Sequence, residues 1–576
     1  MKHTSRWLVQ PVITPEAEAA LQAFPPILRQ ILFNRGYENE TSARAFLRGE
    51  TPHPADPFLL KGMSEAVTRI RAALETRQLI VVYGDYDVDG VTATALLVET
   101  LERFGANVKG YIPNRFEEGY GLNNEALTQL AKDGARLIVT VDCGIRSPGE
   151  ARHARTLGLD LIISDHHEPA GEIPEALAVI NPKQPGDDYP EKYLAGVGLA
   201  YKIAEALFID HVKQAAAKGQ PPAVSGLLDD LLDLVALGTV ADLAPLNGEN
   251  RNLVRRGLHQ MRQTKRQGLF SLAATAGVSL ARVTAQNIGF SLGPRLNAVG
   301  RLTVASDALT LLTAKSAEQA GLLAQELENR NRERQQMTKE MQSMAEALAL
   351  ESQDSSELLF AAHPQFNHGI VGLAASRLLE KYYRPAIVGH SDEQETRCSC
   401  RSIPEFNITA ALDECADLLV RHGGHRAAAG FTVRNEHLGE LVARLRVIAR
   451  RELAGRDLRP SLAADAQITL AQLNFDLVEQ LEQLQPTGYG SPAATFVTRG
   501  LKVQSKRTVG AEGAHLKLTL TDGRMNLDAI AFRLGPLHET LPPLVDVLFI
   551  LEINDYNGRA SLQLNVKDIK AAGVPD

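Results

Sequence analysis

Five strand-forming residues, Leu79-Ile-Val-Val-Tyr83, run straight into Gly84-Asp-Tyr-Asp-Val-Asp-Gly90, and no other stretch constrains the chain so tightly. An apolar run of that length without polar alternation fits a strand buried on both faces, as in parallel sheets. Gly84 and Gly90 bracket a short turn, and a helix is expected from Val91 onward. Asp85, Asp87 and Asp89 stand at i, i+2 and i+4, positions that point the same way from an extended segment. Three like charges crowded there raise one another's pKa values unless a cation compensates them. A lone Asp-x-Asp is usually a solvated acidic turn. Three aspartates at the end of a buried strand point instead to a divalent metal site.

The same pattern recurs. Arg136-Leu-Ile-Val-Thr-Val-Asp142 reads as a second buried strand ending in an aspartate, and residues 159–164 as a third leading into Asp165-His166-His167. A fourth apolar stretch, 231–240, reaches Asp242, and periodicity leaves open whether it is strand or helix. Apolar strands alternating with helical stretches predict an α/β domain with a largely parallel sheet. Loops at the carboxyl ends of such strands share one crevice, so the fold itself would gather these clusters. Carboxylates with one or two imidazoles suit manganese or magnesium better than zinc. Two such ions about 3.5–4 Å apart can hold a bridging hydroxide and neutralise a phosphate during in-line displacement. Asp142, alone at its strand end, is the natural shared carboxylate. The reaction class is phosphoester or phosphoanhydride hydrolysis.

At 576 residues the chain has room for three or four domains. It shows no apolar run of membrane-spanning length and no signal-peptide pattern at its start. Four cysteines, Cys143, Cys398, Cys400 and Cys415, are too few for a disulfide framework, and Cys398-x-Cys400 has no second pair to complete a zinc site. A reduced, cytoplasmic protein is expected. The net charge of −8 argues against a nucleic-acid partner, yet residues 251–301 hold nine Lys or Arg and no acid. Such a run is often a solvated face; beside an acidic metal centre it reads as a phosphate-binding surface.

Residues 1–50 look helical, with helices expected over 25–34 and 40–47 that pack on the adjoining α/β domain, and 64–74 reads as an amphipathic helix. Over 316–352 a long helix is predicted, with Leu323, Leu327, Met337, Met341, Met344 and Leu348 on alternating three- and four-residue steps. Arg330 and Arg334 occupy two steps of that stripe, which favours a helix linking two domains over a coiled-coil dimer. Beyond about 460, alternation in His515-Leu-Lys-Leu-Thr-Leu-Thr521 and turns at Asp522-Gly523 and 554–558 predict a small β-barrel. The single tryptophan, Trp7, lies far from it in sequence, so any stacking there is expected from Phe or Tyr.

These segments resemble the DHH phosphoesterase superfamily. Gly84-Asp-Tyr-Asp-Val-Asp-Gly90, Val141-Asp142, Asp165-His166-His167 and Gly238-Thr-Val-Ala-Asp242 are similar to its four motifs. Gly293-Pro-Arg-Leu-Asn-Ala-Val-Gly-Arg301, Gly369-Ile-Val-Gly-Leu-Ala-Ala-Ser-Arg377 and Gly423-Gly-His-Arg-Ala-Ala-Ala-Gly430 resemble the branch of single-strand-specific 5′-to-3′ DNA exonucleases, as do Arg401-Ser-Ile-Pro and Pro486-Thr-Gly-Tyr-Gly-Ser-Pro492. The resemblance implies an α/β fold in five parts. They are an N-terminal helical segment (1–50), a DHH domain with a parallel sheet (51–315), a connecting helix (316–352), a second α/β, DHH-associated domain (353–455) and an OB-fold barrel (456–576).

It also implies one Mn2+ or Mg2+ ion on Asp85, Asp87 and Asp142, and a second on Asp89, Asp142, His166 and Asp242. His167 would face the scissile phosphate, with Asp165 orienting it. Arg295, Asn297, Arg301, Ser376, Arg377, Gly423, Gly424 and His425 would contact phosphate or DNA, a structural ion pair being the other reading for an arginine and a tight turn for the glycines. One departure is Phe366-Asn367-His368, where Asn367 takes the place of the usual histidine. Expected partners are single-stranded DNA, a single-strand-binding protein and a helicase. Two rivals are a relative acting on short oligoribonucleotides or cyclic dinucleotides, which tends to lack the barrel, and a non-catalytic DNA-binding relative, which would have lost metal ligands. On this reading, removing residues from 460 onward weakens binding to long strands more than it slows dinucleotide cleavage.

Overall fold

The computed structural model describes residues 5–51, 56–114, 121–219, 224, 226–302, 305–351, 357–556 and 558–574. The chain forms two compact units: residues 41–332 with 483–493, and residues up to 40 with 333–482 and 494 onward.

The first unit is built on five parallel strands: β1 (Leu79–Tyr83), β2 (Asn107–Tyr111), β3 (Ala135–Thr140), β4 (Asp160–Ser164) and β5 (Ala178–Ile180), in spatial order β2-β1-β3-β4-β5. Ile80 and Val82 join the core on one face of the sheet, Val81 and Tyr83 the core on the other. Helices cover both faces, which is why β1 is apolar at every position rather than at every second one. The stretch left open by periodicity is a helix, α3 (Leu232–Ala241), with every residue from Leu232 to Val240 buried. A helix enclosed all round has no polar face to give it a period.

Helix α1 (Val88–Arg103) starts three residues earlier than expected. Asp87 caps it, its Oδ1 accepting from Asp89 N at 2.9 Å and Gly90 N at 3.1 Å. Asp89 therefore projects from the first turn of a helix, not from an extended segment. Four further helices bear on the site or join the units: α2 (Gly196–Ala217), α4 (Gly248–Met261), α5 (Gly293–Leu302) and α6 (Ala317–Glu351). The last of these contributes residues to both units. Its buried seam is mostly alanine (Ala320, Ala324, Ala345, Ala349) with Leu327 and Met341, while Met344 is exposed, so the large apolar side chains trace that seam only in part.

In the second unit a five-stranded sheet runs Leu359–His363, Ala386–Ser391, Glu395–Arg401, Ala428–Arg434, Leu419–His425, its first pair parallel and the rest antiparallel. A barrel comes next, with strands Phe496–Val509, His515–Thr521, Asn526–Ala531, Arg559–Ala571 and Leu544–Tyr556, the last pairing back onto the first. Leu516, Leu518 and Leu520 point inward as the alternation predicts. The N-terminus departs from expectation. Arg6–Val9 is a strand, paired in parallel with Ser461–Ala464. Trp7 is 2 % exposed, packs with Ala464, Val497 and Leu548, and donates from Nε1 to Asp568 Oδ2 at 2.8 Å. The tryptophan furthest from the barrel in sequence is thus built against it, and residues up to 40 pack with the second unit rather than with the α/β domain next to them in sequence. The four cysteines are buried and free. Among the described residues no helix is long and apolar enough to cross a membrane.

Candidate metal centre

Strand ends and helix ends converge at the carboxyl edge of the parallel sheet. Asp85 follows β1, Asp142 follows β3, Asp165, His166 and His167 follow β4, and Asp242 ends α3. Ligand atoms of Asp85, Asp87 and Asp142 lie within 4.8 Å of one another, as do those of Asp89, His166 and Asp242 and those of Asp142, His166 and His167. His166 Nε2 is 3.0 Å from Asp142 Oδ1 and 3.9 Å from Asp89 Oδ2, and Nδ1 is 3.9 Å from Asp242 Oδ2. Asp142 and His166 each take part in two of the three groups, and their contact links the outer two.

The surrounding backbone is shaped for this crowding. Asp142 has φ +63, a left-handed conformation uncommon outside glycine and found where a site demands it. A Cβ on Gly196 would lie 2.6 Å from Asp142 Cβ, and one on Gly238 2.9 Å from Asp89 Oδ1. Both Asp89 oxygens accept backbone N–H groups at the start of α2, from Gly196 at 2.6 Å and Val197 at 2.8 Å. The helix dipole adds to that anchoring, and spare lone pairs remain for a cation.

Burial first, then Asp87, pushes the Asp89 carboxyl up to about 7. Burial and the facing Asp89, Asp87, Asp85 and Asp242 hold Asp142 well above the carboxylate range; burial with Asp89 and Asp87 does the same to Asp242. Burial, helped by His167, lowers His166 to about 3, leaving its ring neutral with a lone pair to give. The Asp142 Oδ1 and His166 Nε2 atoms are buried, and neither makes a directed hydrogen bond. Repelling carboxylates with a neutral imidazole and two orphaned buried atoms fit a hard divalent cation and little else.

His167 differs from His166. Its Nδ1 lies 2.8 Å from Asp165 Oδ1, and that oxygen also accepts His167 N at 3.1 Å. Burial alone would lower His167, but the bond to Asp165 and its charge raise it. Burial would raise Asp165; His167 and the Ile145 N–H outweigh it and lower the carboxyl. Asn181 Nδ2 donates to His167 O at 2.9 Å, and Asn181 Oδ1 accepts from Lys183 N. This segment carries no clear signal in the sequence, because β5 ahead of it is only three residues long.

The residues expected on phosphate are placed differently. Asn297 Oδ1 accepts Val88 N at 3.2 Å, and a Cβ on Gly300 would lie 2.6 Å from Tyr86 O, so α5 clamps the aspartate turn. Arg295 is mostly buried, bonded to Glu328 Oε2 and to Ser291 O, each at 2.7 Å. The Arg301 side chain lies outside the described residues. Part of the basic run turns inward, Arg251 and Arg255 onto carbonyls and Arg266 onto Asp233 and Glu99, while Arg256 pairs with Asp229 on the surface. Acids absent from the run in sequence come from neighbouring helices and pair with Arg256, Arg266 and Arg295.

In the second unit, Ser376 Oγ donates back to Gly372 O at 3.0 Å, and Arg377 pairs with Glu380 at 2.8 Å on the surface. Gly423, Gly424 and His425 are exposed on the edge strand Leu419–His425 rather than in a turn. Gly424 has φ +144, and a Cβ there would meet Ala428 O at 2.4 Å; at Gly423 there is open space. Asn367 Oδ1 accepts Gly369 N at 2.8 Å, shaping the turn ahead of the helix Val371–Tyr382.

Comparison with known proteins places this geometry. The DHH family, N-terminal domain, matches residues 79–239, the DHHA1 domain 355–450, and the RecJ OB domain 464–568. A single-stranded-DNA-specific exonuclease RecJ of Bacillus subtilis is 39% identical over 547 residues, 94% of this chain and 68% of that protein. The protein of the same name from Dickeya dadantii is 35% identical, covering 96% of this chain and 98% of its own. The crystal structure of RecJ with Mn2+ from Thermus thermophilus superposes with a TM-score of 0.82 at 30% identity, over 99% of this chain and 80% of that one. Likeness at this level, running through all three matched domains, makes the chain a member of the RecJ family of DHH phosphoesterases.

Proposed function

We propose that this protein is a metal-dependent exonuclease that hydrolyses single-stranded DNA from its 5′ end, as part of DNA repair and recombination. The observation that carries the reading is the convergence of Asp85, Asp87, Asp89, Asp142, His166 and Asp242, with two buried ligand atoms left without hydrogen bonds. All six residues on which a non-catalytic relative would have been recognised by loss are present, and the barrel that short-substrate relatives tend to lack is formed.

In this reading Asp85, Asp87 and Asp142 hold one cation, and Asp89, Asp142, His166 and Asp242 the other. Bound there, Mn2+ or Mg2+ supplies Lewis-acid charge for displacement at phosphorus and lowers the pKa of water. Asp165 holds the His167 ring through Nδ1 and favours its charged form, so His167 presents a proton and a positive charge toward the phosphate. Asn181 fixes the backbone of that histidine, and Asn297 with Gly300 keeps the aspartate turn in register. The edge strand with Gly423, Gly424 and His425, Ser376 and Arg377, and the barrel are assigned to the DNA strand. A single-strand-binding protein and a helicase are proposed partners by family resemblance, and the cytoplasm the proposed location, in keeping with four free thiols.

The test is digestion of 5′- and 3′-labelled single- and double-stranded DNA with Mn2+ or with chelator. Mononucleotides released first from the 5′ end of single strands, only with metal, are expected; activity that survives chelation or prefers duplex sinks the reading.

The buried carboxylates also make stability pH-dependent. Asp89, Asp142 and Asp242 have folded pKa values above the unfolded value of 3.8. Above that pH the folded state binds more protons than the unfolded one, so metal-free stability falls as pH rises through about 7. Cations remove the repulsion, and His166 is neutral throughout the window. The Mn2+-induced rise in Tm is therefore expected to be larger at pH 8 than at pH 6 by differential scanning fluorimetry; an equal or smaller rise at pH 8 would show that the carboxylates do not carry the charge assigned to them.

A further inference from the structure

Beside the metal centre stand a lysine and an exposed tyrosine that none of these roles uses. Lys183 lies three residues past β5, and its charge reaches both Asp242 and His166. Its side chain is 18 % exposed, its Nζ pairs with the exposed Glu168 at 3.3 Å, and the same Nζ lies 5.7 Å from the centre of the Tyr193 ring. Tyr193 is 63 % exposed on a fixed backbone: its carbonyl accepts Asn250 Nδ2 at 2.6 Å, and that amide also binds Pro245 O at 3.1 Å. The loop so tied begins at Asp242. Its next residue, Leu243, is 67 % exposed at φ +62, a conformation that branched apolar residues rarely adopt.

We propose that Tyr193 and Lys183 form a nucleotide subsite, the ring stacking on a base next to the scissile phosphate and the ammonium meeting the adjoining backbone phosphate. The inference rests on the reading of the protein as a single-strand nuclease. The occupant is fixed by charge and shape together. An apolar peptide would use the ring and the leucine but leave the ammonium with its exposed carboxylate, whereas a nucleotide satisfies ring and cation at once. Stacking accepts any base, as an enzyme that consumes a strand of any sequence requires. Holding the base adds affinity that is the same in the bound substrate and in the transition state, so its loss is read in KM.

The wild-type enzyme is first shown to degrade single-stranded DNA with Mn2+, which tests the underlying reading by itself. Steady-state kinetics on the same substrate then test the subsite. Tyr193→Ala is expected to raise KM by about tenfold or more with kcat nearly unchanged, and Tyr193→Trp to restore it. Lys183→Gln is expected to weaken binding and to reduce the salt dependence of KM by about one phosphate contact. With oligonucleotides carrying one abasic residue at successive positions from the 5′ end, one position should raise the wild-type KM, and that penalty should vanish in Tyr193→Ala. An active enzyme whose Tyr193→Ala variant keeps the wild-type KM, or shows every abasic penalty in full, overturns the proposal.

Discussion

Asp142→Ala is expected to abolish DNA hydrolysis and leave the protein folded. The residue stands between the two carboxylate groups, with Oδ1 3.0 Å from His166 Nε2 and 4.0 Å from His167 Nδ1. Among the described residues no other carboxylate takes part in two of the clustered groups. Losing several kcal/mol of charge stabilisation corresponds to a rate loss on the order of 1,000-fold or more. The fold should tolerate the change, because the carboxylate is opposed by Asp89, Asp87, Asp85 and Asp242 and makes no compensating hydrogen bond at Oδ1. The metal-free variant should therefore melt no lower than wild type at pH 8, while Mn2+ raises its Tm less. Activity in manganese buffer within tenfold of wild type would remove Asp142 from the bridging position.

The clustering of the carboxylates and histidines was legible because most of them follow the end of an apolar run. Asp85, Asp142 and the Asp165-His166-His167 triplet follow strands whose burial on both faces writes itself as unbroken hydrophobicity. Parallel topology then puts all three ends on one edge, so proximity in space is a consequence of topology and needs no knowledge of distances. Asp242 fits the same logic through a helix, and its placement did not depend on deciding between helix and strand. The barrel was legible for a related reason, since His515–Thr521 alternates and Asp522-Gly523 turns the chain after it.

Illegible were the contacts that join segments remote in sequence. Trp7 finds Asp568 across 561 residues, and nothing local in Arg6–Val9 marks it as a partner for Ser461–Ala464. The pairing of the basic run was hidden for the same reason. Charge counted along a chain ignores acids brought from elsewhere, and Glu328 and Asp233 quench Arg295 and Arg266 from other helices. Asn297 was expected on phosphate, and its carboxamide is turned onto Val88 N, which periodicity could not show.

Arg251 carries the second large effect, because it alters how the C-terminal part of the chain can be removed. It is 2 % exposed, its guanidinium lies over the Phe46 ring at 4.0 Å, and it donates to four carbonyls: Phe46 at 3.0 Å, Pro486 at 2.9 Å, and Leu484 and Gln485 each at 3.0 Å. The segment 483–493 also pairs through Tyr489 O with Leu246 N at 2.8 Å, and Gly488 packs on Leu246, whose Cδ1 would lie 2.8 Å from a Cβ there. This segment lies within the part treated as a separable barrel, yet it belongs to the first unit. Arg251→Ala should cost about 3–5 kcal/mol, since it strands buried carbonyls and empties a large buried volume. A chain ending at residue 459 should be destabilised comparably, because it keeps the buried cation and loses three of its four acceptors. Cleavage of a dinucleotide should then fall together with that of long strands, in place of the selective loss expected if the terminal region served binding alone. Denaturant melts of the two variants, followed through the Mn2+-dependent activity on both substrates, decide the matter. A truncated chain that melts like the intact protein and cleaves dinucleotides at the intact rate would mean that Arg251 finds other acceptors and that the 483–493 loop is dispensable to the first unit.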